Sequence, residues 1–467
     1  MLSEVSRTYP RHDGNRIQYV ISPFLRSTKA VNKGQKAQQA TLDSPFGLPC
    51  GRRVKNRLVK AAMTEGLADP LNRATHRHFE LYRRWSSGGA GALLTGNVQV
   101  DRRYLERAGN IVIDGPQDRD QLASLEAMAE AGTAGDTELW MQISHAGRQT
   151  PALIATEPVG PSAMQLAIPG GRFGRPRALG EEEILNIIDR FAYAAGVARQ
   201  TGFTGVQVHA AHGYLLSEFL SPRANKRDDR WGGSIENRAR LLLEAVRAVR
   251  LAVGTDLVVA VKLNSADFQK GGFSFDDCLA VIEMLNDEGL DLLEISGGNY
   301  EQPRLLGIDG LEPVFVEKVR ASTRAREAYF FDYAAAARRV ARMPLMVTGG
   351  FRSMAGMSEA LGGGDVDLIG LGRPLCVDPD FPKKILSGTI EQAPDVESGL
   401  RVGPGMFGPN SPFAVFKAIN GFARIGWYYE QIYRLADGEE PDLSMGALRA
   451  LLTYDKTEKA KARALRS

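Results

Sequence analysis

The chain has 467 residues, 43% of them hydrophobic and 24% charged, with 50 glycines and only 8% aromatic residues. A formal net charge of +3 is too small to argue for nucleic acid or an anionic membrane surface as a partner. The three cysteines, Cys50, Cys278 and Cys376, stand too far apart for a disulfide framework, a zinc knot or an iron–sulfur spacing. Such scattered cysteines make a reducing compartment, by default the cytoplasm, the expectation, and no apolar run approaches the roughly 20 residues that cross a bilayer.

The first 41 residues carry Arg7, Arg11, Arg16, Arg26, Lys29, Lys33 and Lys36 against Glu4 and Asp13. The acidic residues and two prolines weigh against a transit peptide and favour a basic, poorly ordered extension. The turn signals of Leu42–Gly51 predict a hairpin that plugs a barrel floor. From Asn56 onward, apolar runs predicted as strands alternate with helical patterns. The strands are Arg57–Met63, Ala92–Val98, Glu138–Ile143, Gly205–His209, Leu257–Leu263, Asp291–Ser296, Leu345–Thr348 and Asp367–Gly370. The helices are Thr75–Ser86, Asp118–Ala131, Glu181–Thr201, Ile235–Val253, Phe275–Glu288, Tyr333–Arg342 and Ser353–Gly362. Eight strand–helix units define an α/β fold, a single (β/α)₈ barrel over residues 42–390. An open doubly wound sheet would show a glycine fingerprint in its first strand–helix turn, and none follows Met63.

Two connections, Ser144–Gly180 and Gly297–Tyr329, are long and follow the C-terminal ends of strands, where barrels carry their chemistry. They read as lids or substrate walls. Residues 391–467 are expected to be a helical extension, with an aromatic-rich helix over Phe413–Leu435 and a frayed basic tail over Lys456–Ser467.

The densest chemistry is Val208-His209-Ala210-Ala211-His212-Gly213-Tyr214, which holds two of the six histidines at the end of the fourth strand. Such a cluster can converge on one point above the barrel. A zinc site would need a further protein ligand, for which His145 is the candidate. After the seventh and eighth strands come Thr348-Gly349-Gly350-Phe351-Arg352 and Gly370-Leu371-Gly372-Arg373. In barrels this pair of turns is the usual phosphate site, and Arg373 adds a forked cation. Lys262, within Val-Ala-Val-Lys-Leu-Asn, points into the barrel and needs an anionic partner there. Gln142 places an amide near the end of the third strand.

With these residues in view, the sequence resembles the old yellow enzyme family of FMN-dependent ene-reductases, in the branch with a His–His substrate pair. The stretch His209–Asn237 is the most specific part, and the motifs beginning at Asn56 and Gln142 and the two glycine turns follow in the family's order. Coverage runs from about Leu42 to Lys384. The resemblance implies that Ala61, Ala62, Met63 and Thr64 lie along the flavin and that Gln142 binds its pyrimidine edge. Asn97 matches a pyrimidine-contacting position that is usually small, and Lys262 stands where the family commonly has Arg. Gly349, Gly350, Gly372 and Arg373 would hold the phosphate. His209 and His212 would direct two imidazole N–H groups at the substrate's carbonyl oxygen, and Tyr214 would protonate the α-carbon.

The activity implied is reduction of an activated C=C bond of an α,β-unsaturated carbonyl compound at the expense of NAD(P)H. The alternative is a biosynthetic flavoenzyme of the same fold that oxidises or isomerises its substrate. Family members that carry an iron–sulfur cluster and a second nucleotide domain are disfavoured by the scattered cysteines. The chain is compatible with a homo-oligomer, and a small-molecule alkene is the partner expected.

Overall fold

The computed structural model describes residues 6–10, 16–20, 40–168, 171–301 and 331–465. Residues Met1–Gln39 form a unit of their own, in which Ser6–Pro10 pairs antiparallel with Arg16–Val20. The remainder of the basic extension lies outside the described residues. Ala40–Ser467 form a second unit, and all the chemistry read from the sequence falls within it.

All eight predicted strands form: β1 (Leu58–Lys60), β2 (Ala92–Gln99), β3 (Glu138–Ser144), β4 (Gly205–Ala210), β5 (Val258–Asn264), β6 (Leu292–Ser296), β7 (Leu345–Thr348) and β8 (Leu368–Leu371). Each pairs in parallel with the next, and β8 closes on β1 to complete a barrel. Strands buried on both faces read as continuous apolar runs, which is why periodicity of two was never the signal here. β1 is shorter than predicted. After Lys60 the chain leaves the ladder, with Ala61 N–H still donating to Leu371 O at 2.8 Å, and runs across the mouth through Thr64.

The predicted helices follow as α1 (His76–Ser87), α2 (Arg119–Gly132), α3 (Glu181–Gln200), α4 (Ile235–Val253), α5 (Phe275–Leu285), α6 (Phe331–Val340) and α7 (Met354–Gly362). Asp118, Ser234, Ser274 and Ser353 start four of them by accepting a backbone N–H with a side-chain oxygen. The short α8 (Phe381–Leu386) completes the ring. At the opposite end, the hairpin formed by Phe46–Gly47 and Arg53–Val54 closes the floor. Its Leu48 and Val54 pack into a cluster with Val59, Leu94, Trp140, Val258 and Met346 from the strand starts.

The expectation of a frayed tail over Lys456–Ser467 is wrong as far as Ala464, and its last two residues lie outside the described residues. After α9 (Ala414–Ala436), an ordered α10 (Ala447–Ala464) packs alongside it, with Tyr429 stacked on Tyr454 and Tyr433 beside Lys461. Ala, Lys and Glu are good helix formers, and the charged residues have tertiary partners. Lys461 Nζ donates to Gly66 O and lies 3.0 Å from Tyr433 Oη, while Glu458 pairs with Arg107 at 2.5 Å. Among the described residues, no helix is long and apolar enough to cross a membrane.

Candidate active site

The C-terminal ends of the strands converge on a polar interior. Gln142 Nε2 donates to Gln207 Oε1 at 2.6 Å, and Gln207 Nε2 donates to Glu294 Oε2 at 2.7 Å. Glu294 Oε1 lies 3.0 Å from Lys262 Nζ, in a pair whose side chains are 0% and 2% exposed. The anionic partner that Lys262 required is therefore Glu294. The sequence hid it inside an apolar strand, where a single carboxylate is easily taken for an edge residue. Gln207, also missed, joins the amide and the ion pair into one network.

One layer above, the histidine turn is held in a conformation that few residues tolerate. His212 has φ 62° and Gly213 φ 77°. The His212 N–H donates to Asn264 Oδ1 at 3.0 Å, and its carbonyl accepts from Gln149 Nε2 at 2.9 Å. A left-handed histidine costs backbone energy, so these two anchors are what keep its ring over the barrel. The ring centroids of His209 and His212 are 5.2 Å apart, and that of Tyr214 lies 4.8 Å from His209. The structure thus brings the three residues together.

Burial first, then for His209 the neighbouring His212, and for both rings Lys262, hold the two imidazoles well below their usual pKa. Burial, reinforced by Glu106 and Tyr300, pushes the Tyr214 phenol well up. All three are neutral near pH 7. Tyr214 Oη is 2.9 Å from Tyr300 Oη, a partner just short of the undescribed part of the second long loop. Residues 302–329 of that loop lie outside the described residues. The first long loop is tied to it by Arg148, whose Nη2 lies 3.2 Å from Glu301 Oε2.

Asn97 is turned inward by a bulge in β2. One extra residue separates the Leu94↔Trp140 and Asn97↔Gln142 pairs. A Cβ on Gly96 would meet Thr64 Cα at 2.6 Å, so the bulge requires glycine. Asn97 Nδ2 and Thr64 Oγ1 each donate to Glu106 Oε2 at 2.6 Å, and Asn97 Oδ1 lies 2.8 Å from His209 Nδ1. Glu106 was missed because it sits in a loop with no motif. His145 does not join this group. Its Nδ1 accepts from the Gly147 N–H at 3.0 Å, and it lines a separate cleft of about 250 Å³ with Asp101, Arg103 and Arg190.

At the other side of the mouth, the turns after β7 and β8 meet the end of β1. Gly349 and Gly350 have φ 127° and 89°. A Cβ on Gly370 would fall 1.8 Å from Thr348 Oγ1, and Met63 Sδ lies 3.5 Å from Cys376 Sγ. Arg373 Nη1 is 2.9 Å from Glu397 Oε1, which also accepts from Arg352 and, at 2.8 Å, from Tyr428 Oη. Burial raises the pKa of Glu397, but Arg373 and Arg352 outweigh that and hold it low. The two arginines already receive an anion, and the Thr348 hydroxyl beside them is buried without a hydrogen-bond partner.

This donor set suits FMN. Amides and a cation stand in the barrel centre, where a pyrimidine edge could be met, and two arginines with glycine turns stand at the rim, where a phosphate could be held. A barrel with this polar centre and cationic rim fits a flavin-binding oxidoreductase. The chain belongs to the NADH:flavin oxidoreductase / NADH oxidase family, whose FMN-oxidoreductase model matches residues 44–392. FMN is the cofactor that membership assigns to the barrel.

Among its relatives is an "NADH-dependent flavin oxidoreductase iliE" of Neonectria sp., 38% identical over 76% of this chain but 48% of that protein. A protein of the same description from Hypocrea jecorina is 37% identical over 73% of this chain and 88% of its own. In structure, 2-naphthoyl-CoA reductase matches with a TM-score of 0.67 and 28% identity, over 76% of this chain and 53% of that one. The old yellow enzyme homologue from Zymomonas mobilis, at TM-score 0.63 and 24% identity over 78% of this chain and 97% of its own, shares the fold. The chain spans about half the length of the Neonectria and 2-naphthoyl-CoA reductase chains.

Proposed function

We propose that the protein reduces an activated C=C bond of a conjugated carbonyl compound, using NAD(P)H and FMN, with His209, His212 and Tyr214 as its substrate-facing residues. The observation that carries this reading is the convergence of two neutral imidazoles and one neutral phenol above the polar centre of the barrel. When bound, FMN supplies the hydride chemistry, taking hydride from NAD(P)H and returning it to the substrate.

The protein's own residues do the rest. Ala61, Ala62, Met63 and Thr64 form the edge along which the ring would lie, with Asn97 beside it. Gln142 and Lys262 would bind the pyrimidine side, and Gly349, Gly350, Gly372 and Arg373 the phosphate. Lys262 shares its charge with Glu294, so it would stabilise negative charge on the ring less than an unpaired cation would. The imidazoles grip the substrate oxygen on which charge develops. Tyr214 keeps its proton until the α-carbon requires it, and Tyr300 Oη, 2.9 Å away, is placed to replace it.

Two outcomes test the assignment. Arg373→Ala should weaken FMN binding by roughly 10–100-fold, the value of about 1.5–3 kcal/mol for a hydrogen bond to a charged group. Equilibrium dialysis of the flavin measures it, and unaltered retention would remove Arg373 from the phosphate site. A phenolate gripped by the histidines and stacked on oxidised FMN should give a long-wavelength charge-transfer band, because two donors at its oxygen offset the desolvation of the anion. His209→Ala or His212→Ala should weaken that complex by about 1–3 kcal/mol, and the double change should abolish the band but spare the flavin spectrum. A band that survives the double change would place the substrate elsewhere.

A further inference from the structure

The turn after β3 reaches two other loops with one side chain. Gly147–Gln149 form a single 3₁₀ turn, and Gln149 is 0% exposed. Its Nε2 donates to the His212 carbonyl at 2.9 Å, and its Oε1 accepts the Tyr300 N–H at 3.3 Å. A carbonyl only accepts and a backbone N–H only donates, so chemistry fixes which way the amide lies. Gln149 also stands against Gly213, where a Cβ would meet Oε1 at 2.7 Å. One amide thereby ties the histidine turn after β4 to the first residues of the second long loop. A second point holds the same residues, where Glu301 pairs with Arg148 at 3.2 Å and accepts the Ala167 N–H at 2.8 Å. The contact this tether sets is between two tyrosines. The hydroxyls of Tyr214 and Tyr300 are 2.9 Å apart, with ring centroids at 5.8 Å. Tyr214 is 5% exposed, while Tyr300 is only partly buried.

We propose that Gln149 is a positioning residue that docks Tyr300 on Tyr214, making the two tyrosines a proton relay from solvent to the substrate. This rests on the reading above that Tyr214 is the proton donor. In the relay the Tyr214 O–H bond breaks as the α-carbon C–H bond forms. The Tyr300 proton moves to the Tyr214 oxygen, and solvent water returns a proton to Tyr300. No electrons change hands in these steps, since the hydride comes from the flavin.

The test compares variants of the FMN-loaded protein in anaerobic stopped flow, with 2-cyclohexenone as the oxidant. Gln149→Met keeps the length of the side chain and loses both bonds. Flavin reduction by NADH or NADPH should be unchanged, and reoxidation should slow about tenfold, the effect of one lost hydrogen bond. Tyr300→Phe should show the same loss, and the double change no more than either alone, because both remove one contact. Gln149→Glu supplies a readout that a merely structural role would not move. A carboxyl buried there takes up a proton, and in that form it donates to the His212 carbonyl and accepts from Tyr300 as the amide does. Ionised, it sets a charge against the carbonyl. The variant should match the wild type at low pH and lose rate as pH rises through the pKa of the new carboxyl. Around this position stand Arg148, paired with Glu301, the buried Asp267 after β5, and the neutral His212 and Tyr214. Glu218, on the short helix Leu215–Leu220, is pushed up to about 8 by burial. All are present in both proteins, so the difference between the two profiles reports position 149.

A second readout needs no turnover. With 4-fluorophenylalanine in place of Phe173, whose ring centroid lies 6.0 Å from that of Tyr300, the ¹⁹F signal of the ligand-free holoprotein should show a transition in Gln149→Glu that the wild type lacks. Full reoxidation rates in Gln149→Met or Tyr300→Phe overturn the proposal, as does a Gln149→Glu protein that follows the wild type in both measurements. A ¹⁹F transition in Gln149→Glu, with no reoxidation by the enone even in the wild type, upholds the tether and counts against the ene-reductase reading instead.

Discussion

Tyr214→Phe should leave reduction of the flavin by NAD(P)H intact and slow its reoxidation by an enone by roughly 10²–10⁴, the usual contribution of a positioned proton donor. The two half-reactions need different things from the site. Taking hydride from a nicotinamide involves no proton at the substrate carbon, while saturating the C=C bond does. The phenol is suited to that step because burial, together with Glu106 and Tyr300, keeps it protonated far above neutral pH. Its loss leaves the Tyr300 hydroxyl, 2.9 Å away, without its partner. Tyr300→Phe is therefore the matching control, since it breaks the same hydrogen bond and retains the donor. Anaerobic stopped-flow measurement of the two steps separates these outcomes. Equal slowing of both half-reactions in Tyr214→Phe would make the tyrosine structural.

The second large effect is on stability and lies in the C-terminal helices. Glu458→Ala should lower the unfolding free energy by about 3–5 kcal/mol, the cost of leaving one member of a buried ion pair unpaired. Arg107 is 5% exposed, its guanidinium carbon lies 3.9 Å from the Tyr429 ring centroid, and its Nη2 is 2.5 Å from Glu458 Oε1 and 3.0 Å from Tyr433 Oη. Removing the carboxylate strands a cation among Tyr429, Tyr433 and Tyr454. The sign with pH follows from the folded state. Burial alone would raise the Glu458 pKa, but Arg107 outweighs it and holds the carboxyl below its usual range. Its contribution is present above the unfolded value and lost as pH falls through the folded one. Glu458→Ala should therefore flatten the acid side of the stability profile as well as lower it. Denaturant titration at several pH values measures both. A loss within 0.5 kcal/mol, the range of an ordinary surface change, would show that α9 and α10 do not depend on this pair.

The barrel was legible because parallel strands buried on both faces leave short β-branched runs that are hard to mistake, and Leu345–Thr348 and Ile235–Val253 were read to the residue. The histidine turn was legible as a motif, but its geometry was not. Nothing in the letters shows that His212 adopts φ 62° or that the imidazole nitrogens lie against Asn97 and against each other. The partners that decide the electrostatics, Glu294, Gln207 and Glu106, come from strands and loops with no signature. They become visible only when closure of the barrel sets β4, β5 and β6 side by side. The misread tail at Lys456–Ser467 has the same origin. A run of Ala, Lys and Arg is a solvated end or a docked helix depending on what it meets, and here it meets Arg107 and Gly66.

The assignment stands or falls on whether reduced flavin in this protein gives its electrons to a C=C bond. The direct measurement is an anaerobic titration of the FMN-loaded protein, first with one equivalent of NADH or NADPH and then with a panel of enones, followed by the flavin's absorbance and by product analysis. The expected result is bleaching by the nicotinamide, then stoichiometric return of the oxidised spectrum with formation of a saturated product. A flavin that stays reduced through the whole panel and reoxidises only when oxygen is admitted, or turnover that proceeds without any nicotinamide, would contradict it.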